Sequence, residues 1–136
     1  MSKLDDLIRA AKQELTEPKT VTVPVVVGGE PVEFVFTKLE PMEWRNLCAK
    51  FPPRSESPRD MMTGYNSDLA PSGYPVAFIA MVDGDERVPV SADEWAGVFS
   101  VLESPDIHNV AVALWGMHDF EAQEKVKKAF GAAKKK

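Results

Sequence analysis

The feature that most constrains the fold is the segment VTVPVVVGGEPVEFVF at residues 21–36. Its Gly28-Gly29 pair predicts a β-hairpin with a two-residue loop. Pairing Val27 with Glu30 across this loop gives the hairpin one wholly apolar face, formed by Val21, Val23, Val25, Val32, Phe34 and Phe36. Pro24 lacks a backbone donor, which marks its strand as an edge strand or a bulged one. An isolated hairpin is marginal in water, so we expect other elements to cover the apolar face.

Helices are expected to supply this cover, because apolar residues recur at helical spacing in much of the remaining chain. Helices are predicted at residues 1–18, from Pro41 to Pro52, from the Ser91–Glu94 capping box to Leu102, from Pro105 to Gly116, and from Asp119 to a C-terminal stop at Gly131. Gly116 is expected either to loosen its helix or to end it. Residues 75–82 are predicted as a short buried helix, although periodicity alone also allows a buried strand. The predicted fold class is α+β and helix-dominated, with an N-terminal β-hairpin packed on about five or six α-helices.

The length of 136 residues indicates one domain. We divide the chain into an N-terminal amphipathic helix, residues 1–18, a single hairpin-plus-helices domain, residues 19–130, and a flexible Lys-rich tail, residues 131–136. Within the domain, residues 52–75 contain five prolines and few aliphatic side chains. They are predicted to form a long Pro-rich loop, and loops of this length are usually functional or disordered.

Charge is distributed unevenly along the chain. The formal net charge is −5, but residues 125–136 hold six lysines and no acid, which leaves 10 basic against 21 acidic side chains in residues 1–124. A body this acidic repels phosphate backbones, which argues against nucleic-acid binding. Residues 83–124 alone hold ten acids and one base. This stretch is either a solvated face or a docking surface for a basic or amphipathic partner.

The cysteine content, the N-terminal sequence and the longest apolar run all bear on the cellular compartment, and they agree with each other. A single cysteine cannot form an internal disulfide, and the charged N-terminus does not resemble a signal peptide. The longest apolar run, Val110 to Met117, is far shorter than the ~20 residues that span a bilayer. We therefore expect a soluble intracellular protein with no membrane contact.

Few residues are candidates for catalysis or for binding a metal ion or a phosphate group. Cys48 lies on the apolar stripe of its predicted helix, so we interpret it as a small buried hydrophobe rather than a nucleophile. The acidic turn that begins at Asp83 resembles a calcium loop, but Val88 stands where that loop requires glycine. No glycine-rich phosphate loop is present.

The two histidines are not spaced as metal ligands. His108 and His118 are ten residues apart, about three helical turns, which is too far to share a metal. Both are interpreted as ordinary helix-surface or helix-end residues, with a pH-sensitive helix-end contact as the alternative for His118. We predict no catalytic, cofactor-binding or metal-binding residues and no enzymatic activity; an unrecognised enzyme and a regulator that binds nucleic acid through its lysine tail remain as lesser alternatives.

Aromatic side chains are the best candidates for partner contacts. Each of the three tryptophans lies on the apolar side of a predicted helix, so the core is the default location for each. Some of the Trp, Phe and Met side chains are nevertheless expected to face a partner, because aromatic and Met side chains dominate interfaces. The predicted partner-binding residues are Trp95, Phe99, Ile107 and Trp115.

Four segments together resemble a known family. They are the hairpin at 21–36, LEPMEWRNL at 39–47, APSGYP at 70–75 and VSADEWAGVFSVLESPDI at 90–107. Their order and spacing resemble the tail assembly chaperones of long-tailed phages that infect actinobacteria, over roughly residues 21–120.

The resemblance implies a non-enzymatic, mainly helical protein. It would bind the tape measure protein in the host cytoplasm, keep it soluble during tail assembly, and be absent from the mature virion. It would be the short form of a frameshifted pair, with the longer form and the tail tube protein as further partners and a homo-oligomer as an open option. The alternative is a minor virion structural protein, such as a head–tail joining or tail-tube end component.

Overall fold

The protein is described by a computed structural model that covers residues 2–134, with side chains as far as Gly131. Its sheet is antiparallel and four-stranded, in the order β1-β2-β3-β4. The strands are β1 Thr20–Val27, β2 Glu30–Thr37, β3 Ile79–Asp83 and β4 Glu86–Pro89. The helices are α1 Lys3–Leu15, α2 Pro41–Ala49, α3 Pro58–Thr63, α4 Ala92–Val101, α5 Ser104–Trp115 and α6 Glu121–Lys134. Helix is the dominant structure, so the predicted α+β, helix-rich class is confirmed.

The N-terminal hairpin forms as the sequence predicts. Val27 lies opposite Glu30, Val25 opposite Val32, and Val23 opposite Phe34. Both Gly28 and Gly29 have positive φ, the conformation that a two-residue hairpin loop needs and that glycine adopts without strain. Strand β1 lies at an edge of the sheet, which accounts for Pro24 within it.

The predicted helix at residues 75–82 is wrong for most of its length. Residues Val76–Phe78 form one 3₁₀ turn, and Ile79–Asp83 then form strand β3 beside β2, with Ile79 opposite Phe36. An apolar run of this length fits a buried helix or a buried strand equally well. Pairing with β2 decides the outcome, because Phe34, Val35 and Phe36 of β2 are buried and their backbone groups need hydrogen-bond partners, which strand β3 supplies.

The core lies between the apolar face of the sheet and the helices. Trp95 of α4 packs edge-on against Phe34 and Phe36, with ring centroids 5.4 and 5.6 Å apart respectively. Tyr74 packs edge-on against Phe36 at 5.5 Å. Helix α5 adds Val110 and Leu114 to the same buried cluster. The expected helical cover of the hairpin is therefore present.

The segment at residues 52–75 is not the structureless loop that its composition predicts. It contains helix α3 and a 3₁₀ turn, Ala70–Gly73. Asp60, Tyr65 and Tyr74 are buried in it. Its prolines interrupt regular structure, but its aromatic and carboxylate side chains fix the path of the chain against the core.

Residues 104–134 form one long helical rod. A π-helical turn, Gly116–Phe120, joins α5 directly to α6. The sequence predicts that Gly116 loosens or ends α5, and the helix does loosen there into the π-helical turn without ending. The predicted cap at Asp119 and the predicted stop at Gly131 are wrong, because helical backbone continues through both positions. Of the predicted flexible tail, residues 131–134 are helical, and residues 135–136 lie outside the described residues.

The elements give the molecule two distinct ends. The turn end holds the β1–β2 turn, the β3–β4 turn and the α4–α5 junction, where the backbone N–H of Val26 donates to Asp106 at 3.0 Å. The opposite end, called the helix end, holds α1 and α6. There Lys19 lies 3.8 Å from Glu121, and Lys125 donates to Glu14 at 2.9 Å.

Candidate partner-binding surface

The four residues predicted to contact a partner do not form one surface. Trp95 is only 2% exposed, and its indole N–H donates to the carbonyl of Pro71 at 3.0 Å. It is therefore a core residue and cannot contact a partner in this conformation. Phe99 is half-buried and packs against the core, with its ring 6.3 Å from that of Trp95.

Ile107 and Trp115 lie two turns apart on α5 and line different cavities. Ile107 lines a cavity of about 380 Å³ beside Arg59 and Asp68. Trp115 lines a second cavity of about 200 Å³, which also includes Arg59. Of the four predicted residues, Trp115 is the one that borders strongly exposed apolar side chains.

That second cavity is an apolar groove between α3 and α5. We call it the Met–Trp groove; its walls are Arg59, Met62, Thr63, Ser67, Ala111, Val112 and Trp115. Met62 is 89% exposed at its rim, and Val112 is also exposed. A solvent-exposed methionine beside a tryptophan is typical of adaptable protein-binding surfaces. Met62 is a residue that the sequence analysis missed, because the segment around it was expected to be loop.

A larger apolar surface lies on α1. The helix forms where it is predicted, with a capping box in which Ser2 and Asp5 exchange hydrogen bonds. None of its residues is buried. Its large apolar side chains, between 44% and 64% exposed, are Leu4, Leu7, Ile8 and Leu15. These residues, here called the α1 stripe, follow helical spacing and so lie on one face.

An amphipathic helix normally buries its apolar face against another element, because packing rather than propensity stabilises short helices. The α1 stripe has no such cover among the described residues. Helical periodicity predicts the stripe, but the absence of a covering element depends on the positions of distant parts of the chain.

Helix α6 exposes a second stripe. Val126 is 56% and Phe130 is 67% exposed, and no residue from Glu121 to Phe130 is buried. The same stretch of the helix exposes Lys125, Lys127 and Lys128, of which Lys125 pairs with Glu14 of α1 and Lys127 with Glu124. Both terminal helices thus present apolar side chains at the helix end.

The ten acids of residues 83–124 are dispersed rather than gathered on one face. Asp83, Asp85 and Glu86 lie at the β3–β4 turn, whereas Glu94 caps the start of α4. Asp119 is partly buried and accepts a hydrogen bond from Trp44 at 3.2 Å; burial raises the pKa of its carboxyl. A single acidic docking surface along the C-terminal helices is therefore not present.

The two histidines lie in different environments, one buried and one on the surface. His118 lies inside the π-helical turn, only 7% exposed, so the prediction of a helix-surface or helix-end residue is wrong for it. Burial lowers its pKa to about 4. His108 does lie on the surface, as predicted, with Nδ1 2.9 Å from the guanidinium of Arg59.

Cys48 and the acidic and histidine side chains are the groups that bear on a catalytic or metal-binding role. Cys48 is half-buried, packs against the core, and has its pKa raised to about 12 by burial and by Asp119, which makes it a poor nucleophile. Within residues 2–134, no three His, Cys, Asp or Glu side chains are grouped closely enough to hold a metal ion. No helix in the described part of the chain is long and apolar enough to cross a membrane.

Comparison with known proteins adds no assignment. No family model, no curated protein and no solved structure matches this chain. Its function has to be inferred from the surfaces described above.

Proposed function

We propose that this protein is a tail assembly chaperone of a long-tailed phage, a non-enzymatic protein that binds the tape measure protein and keeps it soluble. The α1 stripe is the single observation that carries the proposal. A helix that exposes four large aliphatic side chains and buries none of its residues is suited to bind another amphipathic helix.

The physical need for such a partner is general. A long helical protein that exposes apolar stripes before assembly aggregates unless the stripes are covered. A chaperone that covers them requires an apolar surface of its own and a net charge that keeps it in solution, here −5. The α1 stripe supplies the apolar surface.

The Met–Trp groove is the second surface that we assign to the client. Trp115 and Val112 form one wall of it, and Met62 stands at its rim. An apolar side chain of a client helix can enter a cavity of about 200 Å³. Trp115 keeps its predicted role in this proposal, Phe99 and Ile107 remain secondary candidates, and Trp95 is assigned to the core.

Co-expression with a candidate tape measure protein tests the proposal. We expect the wild-type chain to keep the client in the soluble fraction and to copurify with it. Leu7→Asp combined with Ile8→Asp places two charges on the stripe and is expected to abolish both effects. Gln13→Asp, on the polar face of the same helix, is the matched control and should retain them.

The fold of each variant is checked by circular dichroism, since α1 contributes no buried residue and its variants should keep the body intact. If the stripe variant folds and still solubilises the client, α1 is not the client-binding surface. If the wild-type chain does not solubilise the client, the chaperone proposal is wrong.

Location separates the proposed function from its alternative. A chaperone acts in the host cytoplasm and is absent from finished particles, whereas a head–tail joining or tail-tube end protein remains in them. Mass spectrometry of purified virions is the direct measurement. Stoichiometric presence of this chain would favour the structural alternative. In the proposed scheme the chain is the short form of a frameshifted pair, and the longer form shares α1 and the Met–Trp groove.

A further inference from the structure

Helix α1 is only loosely attached to the rest of the described chain. Its side chains are exposed on every face, and none of its residues is buried. The ion pair between Glu14 and Lys125 joins it to α6, and both of these side chains are themselves largely exposed. An exposed ion pair contributes little to stability. The α1 stripe is therefore accessible to a partner helix.

One flank of the stripe carries two opposite charges, one near each end of the helix. At about 100° per residue, Asp5 and Lys12 lie next to Ile8 on the same flank. Lys12 has no ion-pair partner among the residues that the structure describes. Asp5 accepts from the backbone N–H of Ser2 through Oδ2 at 3.3 Å, which leaves Oδ1 for another donor.

This pattern is complementary to itself when the helix direction is reversed. In an antiparallel pair of α1 helices, Leu4 lies opposite Leu15 of the second copy, and Ile8 lies opposite its Ala11. In the same register, Asp5 of each copy faces Lys12 of the other. The contact then contains two ion pairs, which are related by a two-fold axis.

Charge and space both favour the antiparallel direction over the parallel one. A parallel pair would place the acidic first turns of the two copies, with Asp5 and Asp6, side by side, and would align the two helix dipoles. It would also bring the sheets of both copies to the same end of the pair. In the antiparallel pair the two sheets lie at opposite ends of a contact about 20 Å long.

We propose that this chain forms a two-fold symmetric dimer through antiparallel α1 helices, with Leu4, Ile8 and Leu15 in the contact and Asp5 paired with Lys12 across it. The same surface serves both copies, so association stops at two. A contact between two helices of 13 residues is short beside the interfaces of obligate dimers, so the dimer is weak and depends on protein concentration.

The dimer covers the stripe of each copy, so that a client helix has to displace the second copy. This consequence rests on the proposed function, whereas the dimer itself does not.

Sedimentation velocity of the purified full chain, without a client, tests the contact. We expect the wild type to shift from monomer to dimer as its concentration rises. Ile8→Asp places a charge in the contact from each copy and should weaken association by about a hundredfold or more. Gln13→Asp, on the polar face of α1, is the matched control and should associate like the wild type.

Two charge variants test the direction of the helices. Lys12→Glu brings acids together across the contact, and Asp5→Lys brings bases together. Each should weaken association by about tenfold on its own. In an equimolar mixture every facing pair is again opposite in charge, so the mixture should associate although neither variant does so alone. Lys50→Glu on α2 makes the same change of charge far from α1 and should have no effect.

The mixture also controls for damage to the helix, because Asp5→Lys removes the capping box and restored association shows that α1 still forms. Circular dichroism checks the fold of each variant. Three results would overturn the proposal: a wild type that stays monomeric at every concentration, an Ile8→Asp variant that dimerises like the wild type, or a mixture that associates no better than its components.

The client assay separates this proposal from the proposed function. Lys12→Glu leaves all four side chains of the α1 stripe in place, so it should lose the dimer and still keep the client soluble. A wild type that dimerises but does not solubilise the client would leave the dimer standing and contradict the chaperone function alone.

Discussion

The imidazole of His118 lies stacked on the indole of Trp44, with ring centroids 4.0 Å apart and planes inclined by 10°. This contact joins the π-helical turn to α2. Both ring nitrogens are held: Nε2 accepts from the backbone N–H of Leu39 at 3.0 Å, and Nδ1 lies 2.8 Å from the carbonyl of Leu114. Because a backbone N–H can only donate, Nε2 carries no proton and Nδ1 carries it. The histidine is neutral in the folded protein.

Stability should therefore fall as the pH is lowered through the range in which only the unfolded chain binds this proton. Burial lowers the pKa of His118 from 6.5 to about 4. Above pH 6.5 its contribution is complete, and between pH 6.5 and 4 the free energy of unfolding should decrease by up to about 1.4 kcal/mol per pH unit. Urea unfolding across this pH range measures the slope.

His118→Gln is the matched variant, since it removes the titration and keeps a side-chain acceptor. Its slope between pH 6.5 and 4 should be clearly smaller than that of the wild type. Asp119 acts in the opposite direction, because its raised pKa favours proton binding by the folded state, and it is unchanged in this variant. Equal slopes for both proteins would contradict a buried neutral histidine.

Trp95 and Trp115 both lie on the apolar side of a predicted helix, but truncating them should lower stability by different amounts. Trp95→Ala removes a buried indole together with its contacts to Phe34 and Phe36, and should cost about 3–5 kcal/mol of stability. Trp115 is partly exposed beside the Met–Trp groove, so Trp115→Ala should cost markedly less. The urea midpoints of the two variants measure these two losses of stability. Comparable losses would mean that Trp115 is a core residue and that the groove is not available to a client.

Local patterns predict the elements of this fold well where neighbours in sequence are also neighbours in space. The register from Val21 to Phe36 follows from a two-residue loop and alternation, both within one hairpin. The caps at Ser2 and Ser91 likewise involve residues three positions apart.

Features that depend on residues distant in the chain could not be predicted from local sequence patterns. Strand β3 forms because β2 offers an open edge, and no local pattern of residues 75–82 contains that information. The helix continues through Gly116 because His118, two residues later, is held by Leu39, 79 positions away in the chain. The α1 stripe was predicted as a helix face, but its exposure could be seen only with every other element in place.

The thiol of Cys48 should be unreactive in the folded protein. Its pKa is raised to about 12, mainly by burial, from an ordinary value of 9.0. The thiolate fraction at pH 8 is then about a thousandfold lower than for a free thiol. Alkylation by iodoacetamide should be slow in buffer and fast in urea, and mass spectrometry follows the rate. Fast labelling of the folded chain would contradict the packing of Cys48 against the core.

Asp60 is expected to hold the segment 52–75 in place. Its carboxylate is fully buried and accepts from the backbone N–H of Arg54 at 3.0 Å and from its Nε at 2.7 Å. The guanidinium of Arg54 keeps the pKa of this carboxyl well below its usual range. Asp60→Asn removes the charge and one acceptor from a buried site, and should cost about 2–3 kcal/mol.

The same variant should open the segment to proteases before the rest of the protein unfolds. Limited proteolysis with mass spectrometry would show earlier cleavage within residues 52–60 than in the wild type, because the α3 turn loses its anchor. Asp68→Asn is the control: Asp68 pairs with Arg54 and Arg59 near the surface, where an ion pair contributes about 0–1 kcal/mol. If Asp60→Asn is cleaved no faster than Asp68→Asn, the buried carboxylate is not what fixes this segment, and the Met–Trp groove that rests on α3 must be held by other contacts.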